Sequence, residues 1–217
     1  KNIVIKKRPT LSFEKRFPES FIHAPEDWKY FALGGLSGRT LGLIGFGGIA
    51  QEVAKRALAF GMRVRALRRS EGASVLAGAR LVHSLPELLG DADHLVIAAP
   101  ATPETRHLVN RESLAHVKRG VHLVNVSRGA LVDQDALREA LDDGRVACAT
   151  LDVAEPEPLP AGHWLYTHPR VRLSPHTSWA MPGALDMLLE PFLENFARWQ
   201  GGKPLLARDL VDIARGY

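Results

Sequence analysis

The sequence predicts an α/β fold, a doubly wound parallel sheet with helices on both faces. From residue 41 onward, short apolar runs alternate with segments of helical period, which is the pattern of successive βαβ units. The first apolar run also ends in a cluster of glycines that leads into a helix, as the first βα turn of such sheets does. Six strands are expected, at residues 41–45, 63–67, 94–98, 121–126, 149–153 and 171–174.

The helices are predicted from apolar residues at helical spacing and from residues that cap helix ends. Asn110 is expected to cap a helix that runs through Val117, and Asp133 a helix that runs to Leu141. A long last helix is expected to stop at Gly201. The apolar faces of the first and the last helix comprise Ile49, Val53, Ala57 and Phe60, and Leu185, Leu188, Leu189, Phe192, Leu193 and Phe196.

One α/β domain of the dinucleotide-binding type is expected to occupy residues 37–202. Residues 1–36 show no sustained period and carry many bulky aromatic side chains, which predicts an arm or linker that packs on another domain or on a second subunit. Residues 203–217 follow the last helix and are expected to leave the domain as a tail.

Composition and charge exclude several classes of protein. The net charge of +4 results from 28 basic and 24 acidic residues spread along the chain without a nucleic-acid-binding signature, so we expect no nucleic-acid partner. No uncharged apolar run approaches the roughly 20 residues that span a bilayer, so we expect no membrane partner. The single cysteine and the absence of a signal-like beginning predict a cytoplasmic protein, and the scattered histidines predict no metal site.

The glycine cluster has the spacing G-x-G-x-x-A, with Gly45, Gly47 and Ala50 at the fixed positions. Gly45 permits a tight turn, Gly47 lets backbone N–H groups approach a pyrophosphate, and Ala50 allows the helix to pack closely on the strand. Gly48 and Ile49, at the start of the helix, are expected to lie against the same pyrophosphate. An ordinary glycine-rich turn is the alternative, but the flanking strand, helix and second strand favour a Rossmann-like dinucleotide-binding domain.

The end of the second predicted strand indicates which dinucleotide is preferred. In such folds an acidic residue there accepts hydrogen bonds from the adenine ribose of NAD. This sequence instead has Arg68, Arg69 and Ser70, whose guanidinium and hydroxyl groups could bind the additional 2′-phosphate of NADP. We therefore predict a preference for NADPH over NADH, with a solvent-exposed basic turn as the alternative.

Three further motifs stand at the ends of predicted strands: NVSRGALVD at residues 125–133, LDVAEPEP at 151–158 and SPHTSW at 174–179. Two more precede them, LSGRTLG at 36–42 and TPETRH at 102–107. Together, and in this order, they resemble the D-isomer-specific 2-hydroxyacid dehydrogenases over about residues 36–217. The resemblance implies an oxidoreductase that transfers a hydride between a nicotinamide cofactor and a 2-oxo or D-2-hydroxy acid.

The resemblance also implies three catalytic residues. Arg128 matches the arginine that binds the substrate carboxylate and carbonyl, His176 matches the general acid, and Glu157 matches the carboxylate that orients the histidine and favours its protonated form. Glu155 competes for this last role, but Glu157 precedes a proline and lies five residues after Asp152, as in the family. Each residue also has an alternative role: Arg128 could form a surface salt bridge, Glu157 could be a solvated loop carboxylate, and His176 could be a core histidine. The joint occurrence of the three residues at the ends of predicted strands favours a catalytic site.

The same resemblance implies further cofactor contacts. Asp152 matches the residue that accepts a hydrogen bond from the nicotinamide carboxamide, with a turn cap as the alternative role. Trp179 is expected either to form a wall of the substrate pocket or to pack in the core. Four more residues are expected to line the cofactor: Ala99, Pro100, Val126 and Ser127.

Members of this family also have a substrate domain, and most of it is expected to be missing from this chain. We therefore expect the cofactor-binding portion of an enzyme for glyoxylate, hydroxypyruvate or a related 2-oxo acid, and we expect the isolated chain chiefly to bind dinucleotide. A homodimer is expected because the aromatic arm resembles segments through which family members pair. A dinucleotide-sensing corepressor of the C-terminal binding protein type is the alternative class.

Overall fold

The computed structural model describes residues 35–68, 76–206 and 210. Its strands are β1 (Thr40–Ile44), β2 (Arg63–Leu67), β3 (Ala79–Val82), β4 (His94–Ile97), β5 (Val121–Asn125), β6 (Val146–Leu151) and β7 (Val171–Leu173). They form one seven-stranded sheet in the order β3-β2-β1-β4-β5-β6-β7, and every neighbouring pair is parallel. The strand order reverses between β1 and β4, so the sheet is doubly wound and the predicted fold class is confirmed.

All six predicted strands are present, and the structure adds β3, which the sequence pattern did not predict. This strand has four residues and pairs only with β2, at the edge of the sheet. Its ends, Ala79 and Val82, are buried while Arg80 is exposed. A run this short, with an arginine inside it, shows no recognisable period, so the pairing with β2 rather than local pattern defines the strand.

The helices are α1 (Gly48–Ala59), α2 (Leu85–Asp91), α3 (Arg111–Leu114), α4 (Gln134–Asp142) and α5 (Ala184–Gln200). The predicted cap of α4 is confirmed, because the Asp133 carboxylate accepts hydrogen bonds from the backbone N–H groups of Asp135 and Ala136 at 3.0 and 3.1 Å. Helix α2 was not predicted, although Ser84 followed by Glu87 is a helix-start signal. The Ser84 hydroxyl accepts a bond from the Glu87 N–H at 3.4 Å.

Helix α3 is shorter than predicted. Asn110 caps it as expected, but the helix ends at Leu114 instead of Val117. The backbone N–H of Lys118 donates to the carbonyl of Leu89 at 3.1 Å, and this bond to α2 draws the chain out of the helix toward β5. A tertiary contact therefore overrides the local helical pattern.

The hydrophobic core lies on both faces of the sheet. On one face α2, α3 and α4 cover the central strands, and the buried cluster includes Leu88, Leu95, Leu123 and Leu137. On the other face α1 packs through small residues such as Ala50 and Ala54, which lets the helix approach β1 and β2 closely. Two packed faces hold the carboxyl ends of β1, β2, β4 and β5 in fixed relative positions.

Helix α5 stops at Gly201 as predicted. Its predicted apolar face is largely exposed within the described chain, with Leu185, Phe192 and Leu193 each more than half accessible. No described helix is long and apolar enough to cross a membrane. The predictions for the aromatic arm, for Arg69 and Ser70 and for most of the tail lie outside the described residues.

Candidate active site

A cleft of about 1000 Å³ opens at the carboxyl edge of the sheet, where the strand order reverses. Ligands of doubly wound sheets bind at this position. The cleft is lined by most of the residues that the sequence assigned to the cofactor and by one of the three assigned to catalysis: Gly45, Gly47, Ile49, Arg68, Ala99, Pro100, Val126, Ser127 and Arg128. Gly48 and Asp152 are not among its lining residues.

The glycine turn forms the floor of the cleft. Gly45 has a φ of +92°, and a Cβ there would lie 2.8 Å from the backbone N and Cα of Ala99. The Gly45 N–H donates to the carbonyl of Leu67 at 3.0 Å, so the turn also ties β1 to β2. At Gly47 nothing lies within 4 Å of an added Cβ, which leaves its backbone open to the cleft at the start of α1. The arrangement fits a pyrophosphate bound at a helix N-terminus.

The far end of the cleft contains a residue that sequence reasoning missed. Leu67 of β2 and Val82 of β3 are register partners, so the residues that follow them, Arg68 and His83, leave the sheet side by side. Both line the cleft. The place of His83 in the cleft follows from the pairing of β3 with β2, and the sequence pattern did not predict β3.

The structure brings His176 and Glu157 together. The distance from His176 Nδ1 to Glu157 Oε2 is 2.8 Å, and Glu157 Oε1 accepts a hydrogen bond from the Ala154 N–H at 2.8 Å. Burial raises the pKa of Glu157, but these two hydrogen bonds and the positive charge of Arg128 outweigh burial and lower it overall. An ionised Glu157 can hold the Nδ1 proton of His176 and leave Nε2 for a substrate.

Glu155, the competitor, faces a different set of partners. Its carboxylate accepts a hydrogen bond from Arg106 Nη1 at 2.9 Å and lies 3.8 Å from His107 Nε2. Its carbonyl accepts a hydrogen bond from the side-chain amide of Gln134. Of the two carboxylates, therefore, the structure places Glu157 against His176 and directs Glu155 toward the loop that follows β4.

Arg128 extends from the loop after β5, with an exposed side chain whose Nη1 donates to the carbonyl of Ser127 at 2.7 Å. Asn125, 1 % exposed, holds this loop: its amide donates to the Arg128 carbonyl at 2.9 Å and its Oδ1 accepts from the Ser127 N–H at 3.0 Å. A Cβ at Gly129 would lie 2.1 Å from the carbonyl carbon and oxygen of Ala154. The arginine loop and the glutamate loop are thus in direct backbone contact.

Asn125 and Gly129 lie in the sequence motif around Arg128, but the sequence predicted no role for either residue. The sequence did contain an indication of such roles. A polar residue at the buried end of a strand needs hydrogen-bond partners, and a glycine beside a functional residue often marks a close backbone approach. The partners of both residues are remote in sequence, however, and only the fold identifies them.

Asp152 is 5 % exposed and lies directly after β6. Its carboxylate accepts hydrogen bonds from the Ser174 hydroxyl at 2.5 Å and from the N–H groups of Thr177 and Ser178 at 3.0 and 2.9 Å. The structure therefore shows the turn-cap role that was the alternative for this residue.

Trp179 and the histidines of β4 and β5 are not among the residues that line the cleft. Trp179 is 57 % exposed and its indole N–H donates to the His176 carbonyl at 3.0 Å, so the expectation that it packs in the core is wrong for the described chain. His94 and His122 contact each other, with 3.4 Å between their Nδ1 atoms. Among the described residues, no group of three or more histidine, cysteine or carboxylate side chains is arranged to hold a metal ion.

Fold and site together define a dinucleotide-binding α/β domain with a histidine–glutamate pair close to its cleft. A model of the NAD binding domain of the D-isomer specific 2-hydroxyacid dehydrogenases matches residues 13–178. The chain therefore belongs to that family, and the family membership predicted from the sequence motifs is confirmed.

The relatives are named for the reduction or dehydrogenation of small hydroxy and oxo acids. The chain is 40 % identical over 183 residues to glyoxylate reductase of Thermococcus kodakarensis, covering 82 % of this chain and 54 % of the relative. It is 47 % identical over 133 residues to hydroxypyruvate reductase of Thermotoga maritima, covering 60 % and 43 % respectively. The chain spans about half the length of the curated relatives it matches, and these oxidoreductases give no support to the corepressor alternative.

Two solved structures are similar to the chain. One is a D-isomer specific 2-hydroxyacid dehydrogenase from Xanthobacter autotrophicus Py2 in complex with NADPH and MES, with a TM-score of 0.77, 37 % identity and coverage of 88 % of this chain and 77 % of that one. The other is the NADPH-dependent glyoxylate/hydroxypyruvate reductase of Sinorhizobium meliloti in complex with NADP and sulfate, with a TM-score of 0.80, 29 % identity and coverage of 88 % and 61 %. The domain is therefore of the NAD(P)-binding type.

Proposed function

We propose that the protein containing this chain reduces a 2-oxo acid, such as glyoxylate or hydroxypyruvate, to the D-2-hydroxy acid with NADPH. The observation that carries the proposal is the 2.8 Å contact of His176 with Glu157, in loops that adjoin the Arg128 loop and the dinucleotide cleft. A general acid, a cation for the carboxylate and a cofactor site are the components that this reduction requires. The same residues serve the reverse oxidation.

The cofactor residues have separate tasks in this proposal. Backbone groups of Gly45, Gly47, Gly48 and Ile49 bind the pyrophosphate at the start of α1. The bound dinucleotide supplies the hydride. Asp152 has the role of the contact with the nicotinamide carboxamide, which would select the ring face presented to the substrate. The loops after β4 and β5 line the remainder of the cleft and exclude water through Ala99, Pro100, Val126 and Ser127.

The catalytic residues handle charge and a proton. The planar guanidinium of Arg128 binds the substrate carboxylate and polarises the adjacent carbonyl. His176 donates the proton on Nε2 to the carbonyl oxygen as it becomes an alkoxide. Glu157 keeps the ring oriented through Nδ1 and stabilises the positive charge that the imidazole carries before proton transfer.

A panel of 2-oxo acids tests this function in the complete protein, whether or not it extends beyond these 217 residues. We expect His176→Ala and Arg128→Ala to lower kcat/KM by a factor of about 10² or more, as loss of a general acid or a charged contact does. His116→Ala is the matched control, because His116 is an exposed histidine that belongs neither to the cleft lining nor to the His176–Glu157 pair. Wild-type rates in both variants would remove the mechanism.

The preference for NADPH is supported by Arg68, which lines the cleft at the end of β2, where no described carboxylate takes the place of the usual ribose partner. Arg69 and Ser70, the other two residues of the prediction, lie outside the described residues. The dissociation constants of NADPH and NADH measured on the same preparation test the preference. Equal or tighter binding of NADH contradicts it.

We also propose a homodimer in the cytoplasm. The exposed apolar stripe on α5, which includes Leu189, Leu193 and Phe196, supports self-association because contiguous apolar surface is characteristic of interfaces. Light scattering after size exclusion tests the oligomeric state, and a strictly monomeric protein at high concentration contradicts it. The single cysteine, Cys148, supports a reducing compartment, which fractionation of the native cells would test.

A further inference from the structure

His176 has a backbone conformation that an ordinary residue rarely adopts. Its φ is +53°, in the left-handed region that normally favours glycine. Such a conformation is strained and persists only where surrounding contacts impose it. Some part of the fold must therefore hold the segment from Ser174 to Ser178 that presents the imidazole to Glu157.

Asp152 supplies those contacts. Its carboxylate accepts from the Ser174 hydroxyl and from the N–H groups of Thr177 and Ser178, so it binds the segment on both sides of the histidine. Its main-chain carbonyl accepts the N–H of His176 itself at 2.8 Å. Four hydrogen bonds thus run from one buried residue to one turn.

Asp152 is itself fixed to the sheet. Its N–H donates to the carbonyl of Asn125, the last residue of β5, at 3.0 Å. The Ser174 N–H donates to the carbonyl of Leu151, the last residue of β6, at 2.9 Å. The position of the turn is therefore defined by the rigid ends of β5 and β6 rather than by the exposed loop.

The charge of Asp152 strengthens the arrangement. Burial raises the pKa of this carboxyl, but the hydrogen bonds from Ser174, Ser178 and Thr177 outweigh burial and bring the pKa to about 2. The group is therefore an anion at neutral pH. Hydrogen bonds to an ionised acceptor are roughly twice as strong as neutral ones, which suits a contact that must impose a strained backbone.

We propose that Asp152 is a positioning residue for His176, whose carboxylate clamps the Ser174–Ser178 turn so that Nδ1 of the imidazole meets Glu157. This role is additional to any contact of Asp152 with the cofactor. It rests on the proposed function only in what His176 does chemically, because the clamp itself is a property of the turn and can be observed without turnover.

The first test is the variant Asp152→Asn, and the quantity measured is the NMR signal of the Nδ1 proton of His176. Asparagine has one acceptor oxygen where aspartate has two, so at least one N–H of Thr177 or Ser178 is left unpaired. In the wild type we expect a slowly exchanging Nδ1 proton in the NMR spectrum, assigned by its loss in His176→Gln. We expect Asp152→Asn to abolish this signal in a chain that remains folded by circular dichroism.

The second variant, Ser174→Ala, keeps the carboxylate and removes one donor to it. We expect the Nδ1 signal to weaken or exchange faster, kcat to fall about fivefold, and KM and the dissociation constant of NADPH to change less than twofold, since one hydrogen bond contributes about 1 kcal/mol. Thr167→Val is the matched control for loss of a hydroxyl, because its Oγ1 bonds locally to the Trp164 carbonyl.

The outcomes separate this inference from the proposed function. If Asp152→Asn keeps the Nδ1 signal, or Ser174→Ala leaves both the signal and kcat unchanged, the clamp is refuted. If Asp152→Asn keeps the signal but weakens NADPH binding tenfold, Asp152 is a cofactor ligand only. If wild-type protein reduces no 2-oxo acid while the signal responds as expected, the proposed function fails and the clamp stands. Should Asp152→Asn fail to fold, Ser174→Ala decides the matter.

Discussion

Gly45 and Gly47 belong to the same motif but are glycines for different reasons. A Cβ on Gly45 would collide with the backbone of Ala99, which cannot move without breaking the contact between β1 and β4, and its φ of +92° adds strain. Gly47 has open space around it and a negative φ. The first glycine serves the fold of the turn, and the second leaves room for a ligand.

These two glycines give a matched pair of variants. We expect Gly45→Ala to lower the free energy of unfolding by about 2 kcal/mol or more, because it combines steric overlap with a disfavoured φ. Gly47→Ala should unfold close to the wild type but bind NADPH at least tenfold more weakly, because its methyl group occupies the path of the pyrophosphate. Chemical denaturation and a fluorescence binding titration measure the two quantities. Equal effects of the two variants on stability would contradict the distinction.

His83 offers a second test at the scale of a residue. It lies beside Arg68 at the end of the cleft where the 2′-phosphate of NADPH is expected. We predict that His83→Ala weakens binding of 2′,5′-ADP about fivefold and leaves binding of AMP unchanged, since one hydrogen bond to a phosphate is lost. His116→Ala is again the control. An equal loss for both nucleotides would assign His83 to the adenosine instead of the phosphate.

At the scale of the element, the site is built from loops that follow adjacent strands and contact each other directly. The loops after β5 and β6 meet where Gly129 packs against Ala154, and Arg106 reaches from the loop after β4 to Glu155. The strands are parallel neighbours, and after one register shift between Val121 and His122 at the beginning of β5 the pairing continues to their carboxyl ends, which hold these loops within contact distance. The geometry of Arg128 relative to Glu157 therefore depends on backbone approach as much as on either side chain.

Gly129→Ala tests this dependence. The added methyl group would lie 2.1 Å from the Ala154 carbonyl, so the two loops must separate. We expect kcat/KM to fall by about 10² or more, because small displacements of catalytic groups have effects of this size. Gly90→Ala is the control, since its nearest neighbour is a carbonyl at 3.7 Å. Retention of full turnover by a folded Gly129→Ala protein would show that loop contact is not required.

At the scale of the whole molecule, buried and half-buried ionisable groups tie separate parts of the sheet together and make stability depend on pH. Burial raises the pKa of Asp93, but Lys118, the Thr40 N–H and Arg39 outweigh burial and bring it to about 2, and the pKa of Asp152 is similarly about 2. The pKa values of His94 and His122 are lowered, mainly by burial. All four groups bind protons less readily in the folded than in the unfolded state.

The free energy of unfolding should therefore decrease in two stages as the pH is lowered. The contribution of the histidines is present above about pH 6.5, the unfolded value, and is lost as pH falls through their lower folded pKa values. The two aspartates each contribute roughly 2 kcal/mol above about pH 4, which is lost as pH falls toward 2. Urea denaturation from pH 8 to pH 3 measures the profile. Asp93→Asn should flatten the acid stage, and a constant stability down to pH 3 would contradict the prediction.

The sequence by itself determined the α/β class, six of seven strands, the glycine turn, the family and the residue types of the site, because periods, caps and spaced motifs are local properties of the chain. Only the tertiary structure decided which carboxylate meets His176, that β3 adds His83 to the cleft, that α3 ends early at a bond to α2, and that Asp152 holds the histidine turn. Each of these depends on which strands lie side by side and on hydrogen bonds between residues far apart in sequence, and neither can be read from local pattern.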